Sequence, residues 1–192
     1  MAKTDPEAAR RQRRKTIRWV VTVFLITVVI SGIISLVSDE VMDNSSLPVA
    51  FLILLAIVMV GIIFDIIGMA VASADEKPFH SMAARKVPGS QEAIRLLRNA
   101  ERVSSICNDV VGDICGVVSG SASATIAALI LTQVEVGWPR GVSLVMSALV
   151  AGLTVGGKAI GKTFAVNSCT QIVHTVGKVL HALNGLHGKK KK

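Results

Sequence analysis

Asp65, Asp109, Asp113 and Lys158 fall inside stretches made largely of Val, Ile, Leu, Ala, Gly and other uncharged residues. An unpaired charge within a bilayer is expensive, so such groups pair with one another or mark the path of an ion or proton. Counting roughly 1.5 Å per helical residue puts Asp65 about 27 Å below the outer end of its apolar run and Lys158 about 24 Å below the outer end of its own. The two can meet. Asp113 lies roughly 16 Å up from the cytoplasmic end, within reach of the same layer, and Asp109 is one turn closer to the cytoplasm. One reading is a buried ion pair that fixes helix register; the other is an ion or proton path. A resident ammonium competes with any external cation for the carboxylates, which favours the pair.

Four apolar runs must position these residues. Of 192 residues, 51% are hydrophobic and 18% charged, with a mean hydropathy of +0.58, which excludes a disordered chain and a typical soluble enzyme. Trp19 opens an uncharged run to Val37, long enough to span. It is too long for a signal-peptide core and is followed by SDEVMD instead of a cleavage site. Further runs cover about 47–74, 103–132 and 142–165. The expected fold is all-α, a polytopic membrane protein with four transmembrane helices, a juxtamembrane helix pair and a C-terminal amphipathic helix. Segments 1–18, 75–102 and 166–192 hold nearly all the Lys and Arg, whereas SDEVMDNSS has none and QVEVGWPRG only Arg140. The positive-inside rule then places both termini in the cytoplasm of a multi-pass protein of the cell membrane. Trp19 and Trp138 fall at opposite interfaces. The net charge of +8 and pI of about 9.8 fit the anionic inner leaflet as partner, with no nucleic acid.

Within 75–102, the stretch SQEAIRLLRNAERV begins with a Ser90 cap, places Glu92 in the first turn and spaces Ile94, Leu97 and Val103 for one amphipathic surface helix. Phe79 to Lys86 form its partner across the Pro88-Gly89 turn. In 166–192, Ile172, Val173, Val176, Val179, Leu180, Leu183 and Leu186 make one apolar stripe opposite Lys178 and His181, ahead of a lysine tail. On the third span Gly112, Gly116, Gly120 and Ala124 recur every fourth residue; Gly152, Gly156 and Gly157, Gly161 repeat the spacing on the fourth. Missing side chains admit another backbone, either within the bundle or across a homodimer interface. Cys107, Cys115 and Cys169 form no CxxC and read as small packing residues. His174, His181 and His187 stand seven and six apart, unlike the i, i+4 spacing that gathers metal ligands. No Walker loop, HExxH, GxSxG or Rossmann fingerprint occurs, and no enzymatic activity is expected.

Several segments, in order, resemble the transmembrane domain of the cyclin M/CorC magnesium-transporter family. SADEKPFHSM from Ser73 looks like the small-Ser-x-x-Glu-Thr-Ala-Leu signature closing that domain's first helix. LRNAER, ending at Arg102, is similar to Leu-x-x-Pro-Glu-Arg, and VGDI from Val111 to Ile-Gly-Asn-Asn. GKAIGKTFA from Gly157 is similar to Gly-Glu-x-x-Pro-Lys-Thr-x-Ala. The resemblance covers about residues 51–170, with the transmembrane domain itself at 47–165, and makes the 19–37 helix an addition to the family's three.

The resemblance implies a homodimer of short bundles holding a dehydrated Mg2+ inside the membrane, with Ser73 and Asp113 at its ligand positions; Asp109 is expected as a further oxygen ligand. It identifies the chain as a divergent member lacking the family's CBS and transporter-associated domains. Lys158 stands where the family has glutamate and Gly161 where it has proline. Exchanging a carboxylate for an ammonium changes the site by two unit charges, and lysine offers magnesium no oxygen. Two functions are therefore expected: divalent-cation binding or transport, or a scaffold or regulatory subunit in which Lys158 pairs with Asp65 or Asp113 in place of the metal.

Overall fold

The computed structural model describes residues 6–43, 45–133 and 137–188, which form helices and short connections with no strand among them. Helix α1 spans Pro6–Asp43, α2 Leu47–Ser73, α3 Lys77–Ala84 and α4 Ser90–Arg98. Next, α5 (Ala100–Ser105), a π-helix π1 (Ile106–Gly112) and α6 (Asp113–Gln133) run on as one rod, followed by α7 (Pro139–Asn167) and α8 (Cys169–Gly188). Among the described residues, four helical stretches are long and apolar enough to cross a membrane: Thr16–Ser38, Leu47–Ser73, Ala100–Gln133 and Pro139–Asn167. Apolar runs of this length leave a helix in lipid as the way to satisfy every backbone group.

Helix α2 is the axis of the bundle. Its residues 61, 65 and 68 meet 115, 112 and 108 of the third span in descending order, so those rods are antiparallel. Ile62 and Ile66 meet Gly157 and Gly161 in ascending order, so α2 and α7 are parallel. Towards the start of α2, Ala50, Leu54, Val58, Ile62, Ala122, Ile126, Ala127, Met146 and Val150 form a wholly apolar cluster. Ser119, Ser123 and Thr154 near it return their hydroxyls to their own helix, on the carbonyls of Gly116, Gly120 and Val150. The other end, called basal below, carries α3, α4 and α8. There Phe79, Ala93 and Val173 are completely buried beside Ala70 and Val71.

Several boundaries differ from the sequence reading. The basic segment and the first span share one helix: α1 is continuous from Pro6, where proline suits a first helical position, and Arg, Gln and Lys in RRQRRK are good helix formers. Residues 1–5 and the tail at 189–192 lie outside the described residues. The single helix expected from Ser90 to Val103 is broken at Asn99 (φ −116°), so α5 belongs to the third span. Ser90 is not the cap: Gly89 caps α4 at φ +83°, and the Ser90 hydroxyl donates back to the Val87 carbonyl.

The C-terminal stripe also divides. Val173 and Gly177 are buried against the basal layer, whereas Val179 and Leu183 are exposed. Gly177 and Gly89 touch backbone to backbone; a Cβ on Gly177 would lie 2.4 Å from the Gly89 carbonyl oxygen, and one on Gly89 2.5 Å from the Lys178 nitrogen. Two absent side chains thus let α8 seat on α4.

Candidate functional site

The charges within the apolar helices α2 and α7 are brought together. Lys158 Nζ lies 3.7 Å from Asp65 Oδ1, with side chains 22% and 7% exposed. Glycines make the approach possible: a Cβ on Gly112 would lie 3.3 Å from Lys158 Nζ, 3.5 Å from the Cys107 carbonyl oxygen and 3.9 Å from Asp65 Oδ1. The ammonium therefore lies over a bare patch of helix, facing a carboxylate. At this separation and an effective dielectric near 20, opposite charges attract by roughly 4 kcal/mol, against several kcal/mol to desolvate each ion. Such a pair adds little net stability, but removing either partner leaves a buried charge uncompensated.

The π-helix supplies a residue that the sequence reading missed. Its i→i+5 hydrogen bonding widens the turn, and Asn108 lies against Gly68, where a Cβ would fall 2.1 Å from Asn108 Oδ1. Asn108 Nδ2 donates to Ser104 Oγ at 3.3 Å. Asn108 Oδ1 and Asp65 Oδ2 are both buried without a hydrogen-bond partner. The signal available in advance was an Asn among apolar residues, one helical turn before Gly112.

The residues implied as magnesium ligands lie differently. Ser73 is exposed at the end of α2; Asp109 and Asp113 are exposed on the third span. Asp109 Oδ2 accepts a 2.7 Å hydrogen bond from Ser105, one turn before it. No ion pair with Lys158 is formed by Asp113; Lys158 pairs with Asp65. Among the described residues, no group of three or more His, Cys, Asp or Glu is placed to hold a metal ion.

The glycine face of the third span is split. Gly112 belongs to the ion-pair layer, while Gly116 and Gly120 have nothing within 4 Å of an added Cβ and Ala124 is exposed. Gly116, Gly120, Ser147, Ala151 and Val155 line an open groove of about 200 Å³ between α6 and α7.

At the basal end the Arg102 guanidinium stacks over the Trp19 ring, 5.6 Å from its centre, tying the first span to the third. Arg98 and Glu76 join α4 to the residue preceding α3 at 3.0 Å. His181 Nδ1 and Glu92 Oε1 join α8 to α4, also at 3.0 Å. That histidine hydrogen bond holds the Glu92 carboxyl below its usual pKa. No family model, no curated protein and no solved structure matches this chain.

Proposed function

We propose that the chain is a multi-pass protein of the cell membrane, with both termini cytoplasmic, acting as a homodimeric scaffold or regulatory subunit. Its bundle is held in register by Lys158, an internal counter-ion where the cyclin M/CorC family has a glutamate. One observation carries this reading: Lys158 Nζ is 3.7 Å from Asp65 Oδ1. With that charge in place, the layer is neutral without magnesium. The test is thermal unfolding of the full chain in detergent. Wild type should melt at the same temperature with and without millimolar magnesium, and Lys158→Glu should melt lower in the metal-free state. Metal-independent stability unchanged by Lys158→Glu sinks the proposal.

A second reading, divalent-cation binding or transport through Ser73, Asp113 and Asp109, is favoured by the exposure of Asp113. An accessible carboxylate with no ion-pair partner is available to a hard cation. Under that reading magnesium raises the wild-type melting temperature and Asp113→Ala abolishes the rise. The same titration therefore separates the two.

A further inference from the structure

We propose that Asp65 Oδ2 and Asn108 Oδ1 together bind one neutral hydrogen-bond donor of water size, reached from the basal side and not from the opposite face. The two oxygens are buried acceptors without partners, and Asp65 is only 5% exposed. Leaving such atoms unsatisfied in an apolar interior is unfavourable, because each has given up its hydration with nothing in return. They belong to adjacent layers: Asp65 lies level with Gly112, and Asn108 with Gly68, three residues further along α2. That step is about 4.5 Å along the axis, which one molecule donating two hydrogen bonds of about 2.8 Å can bridge.

Charge selects the ligand class. Asp65 and Lys158 already cancel, so an added metal cation leaves a net positive charge in a buried layer, and an anion meets two bare oxygens. A neutral donor meets neither penalty, and Lys158 can in turn donate to it. The proposal rests on the Lys158–Asp65 pairing, which makes the layer neutral. Access follows from the polarity on either side. Ser104 and Asn108 continue a line of polar side chains towards the basal end, alongside the apolar cluster of Ala70, Val71 and Phe79, while Leu54, Val58, Ile62, Ala122, Ile126 and Met146 close the other direction with apolar atoms alone.

Two cysteines bracket the layer as native reporters. Cys107 Cβ lies against Gly68, 2.9 Å from an added Cβ, and Cys115 Cβ against Gly61 at 2.8 Å. The full chain in lipid nanodiscs is exposed to radiolytically generated hydroxyl radicals, and each residue's oxidation rate is divided by its rate in the denatured chain. Bound water generates radicals in place, so Cys107 and Cys115 should label several-fold faster on this scale than Met146 in the apolar cluster. Asn108→Leu should remove that excess, and millimolar magnesium should leave wild-type labelling unchanged. Cysteine rates equal to that of Met146 overturn the proposal, as does magnesium suppressing the wild-type labelling, because a metal would then own the two oxygens. Both wild-type measurements stand even if Asn108→Leu fails to fold. Failure of the ion-pair reading appears instead in the unfolding of Lys158→Glu.

Discussion

Two pairs of glycines share α7 and meet opposite surroundings. A Cβ on Gly157 would lie 2.4 Å from Ile62 Cδ1, and one on Gly161 2.7 Å from Ile66 Cγ1. Gly152 and Gly156 have nothing within 4 Å. The first pair is a filled interface that brings Lys158 to Asp65. The second is open, as are Gly116 and Gly120, which line the α6–α7 groove. Both obey the same spacing rule, which identifies where a helix is thin enough for close approach. What fills the notch depends on which side chains the neighbouring helix carries.

The filled side is most sharply probed through its charge. Lys158→Met should destabilise the bundle by about 3–5 kcal/mol by leaving Asp65 uncompensated, read by unfolding in detergent. The double variant Asp65→Leu with Lys158→Met should recover that loss, because two apolar groups replace two desolvated ions. A double variant no more stable than Lys158→Met would show that the carboxylate has a second task in the layer.

Steric substitutions compare the two glycine pairs directly. Gly161→Val forces a branched side chain into Ile66 and should cost about 1–3 kcal/mol by overpacking. Gly156→Val, facing open space, should stay within about 0.5 kcal/mol of wild type. Equal effects at the two positions would erase the distinction between filled and open faces. If a second copy occupies the open groove, Gly120→Ile should leave monomer unfolding unchanged while lowering the dimer fraction, measured by cross-linking or energy transfer at fixed protein-to-lipid ratio. A dimer insensitive to Gly120→Ile places the interface elsewhere.

What could be read in advance was what depends on counting. Spans follow from apolar length, and the common depth of Asp65 and Lys158 follows from a constant rise per residue. The site's finer structure depends on features without a local signature. A π-turn adds one residue to a helix whose composition looks unchanged, so the directions of Asn108 and Asp113 were not legible: Asp113 follows Gly112 of the layer in sequence but is exposed. Periodicity grouped Gly112 with Gly116 and Gly120, yet the first meets Lys158 and the other two meet nothing. The Gly89–Gly177 contact joins residues 88 positions apart, beyond any periodic pattern. Asn99 has an ordinary helix-tolerant sequence around it, and its break shows only when α4 and α5 diverge to meet different neighbours.

The smallest effect belongs to the basal end, where a polar contact supplements a glycine notch. Gly89 and Gly177 seat α8, and the 3.0 Å contact from Glu92 to His181 adds to that seat. His181 is 55% exposed at its side chain, so the pair is screened, and Glu92→Gln should cost only a few tenths of a kcal/mol. Its pH signature is more informative than its size. The folded state lowers the Glu92 pKa chiefly through the His181 hydrogen bond, so this carboxylate's contribution is fully present above the ordinary carboxylate range. It is lost as pH falls through the lowered folded value. Amide hydrogen exchange of α8, compared at neutral and acidic pH, should show increased exposure in acid for wild type and a smaller change for Glu92→Gln. Replacing Gly177 by Val should instead release α8 at both pH values, because a side chain there collides with the Gly89 carbonyl whatever the charge on Glu92. An acid response identical in wild type and Glu92→Gln would assign the docking of α8 to the glycine contact alone.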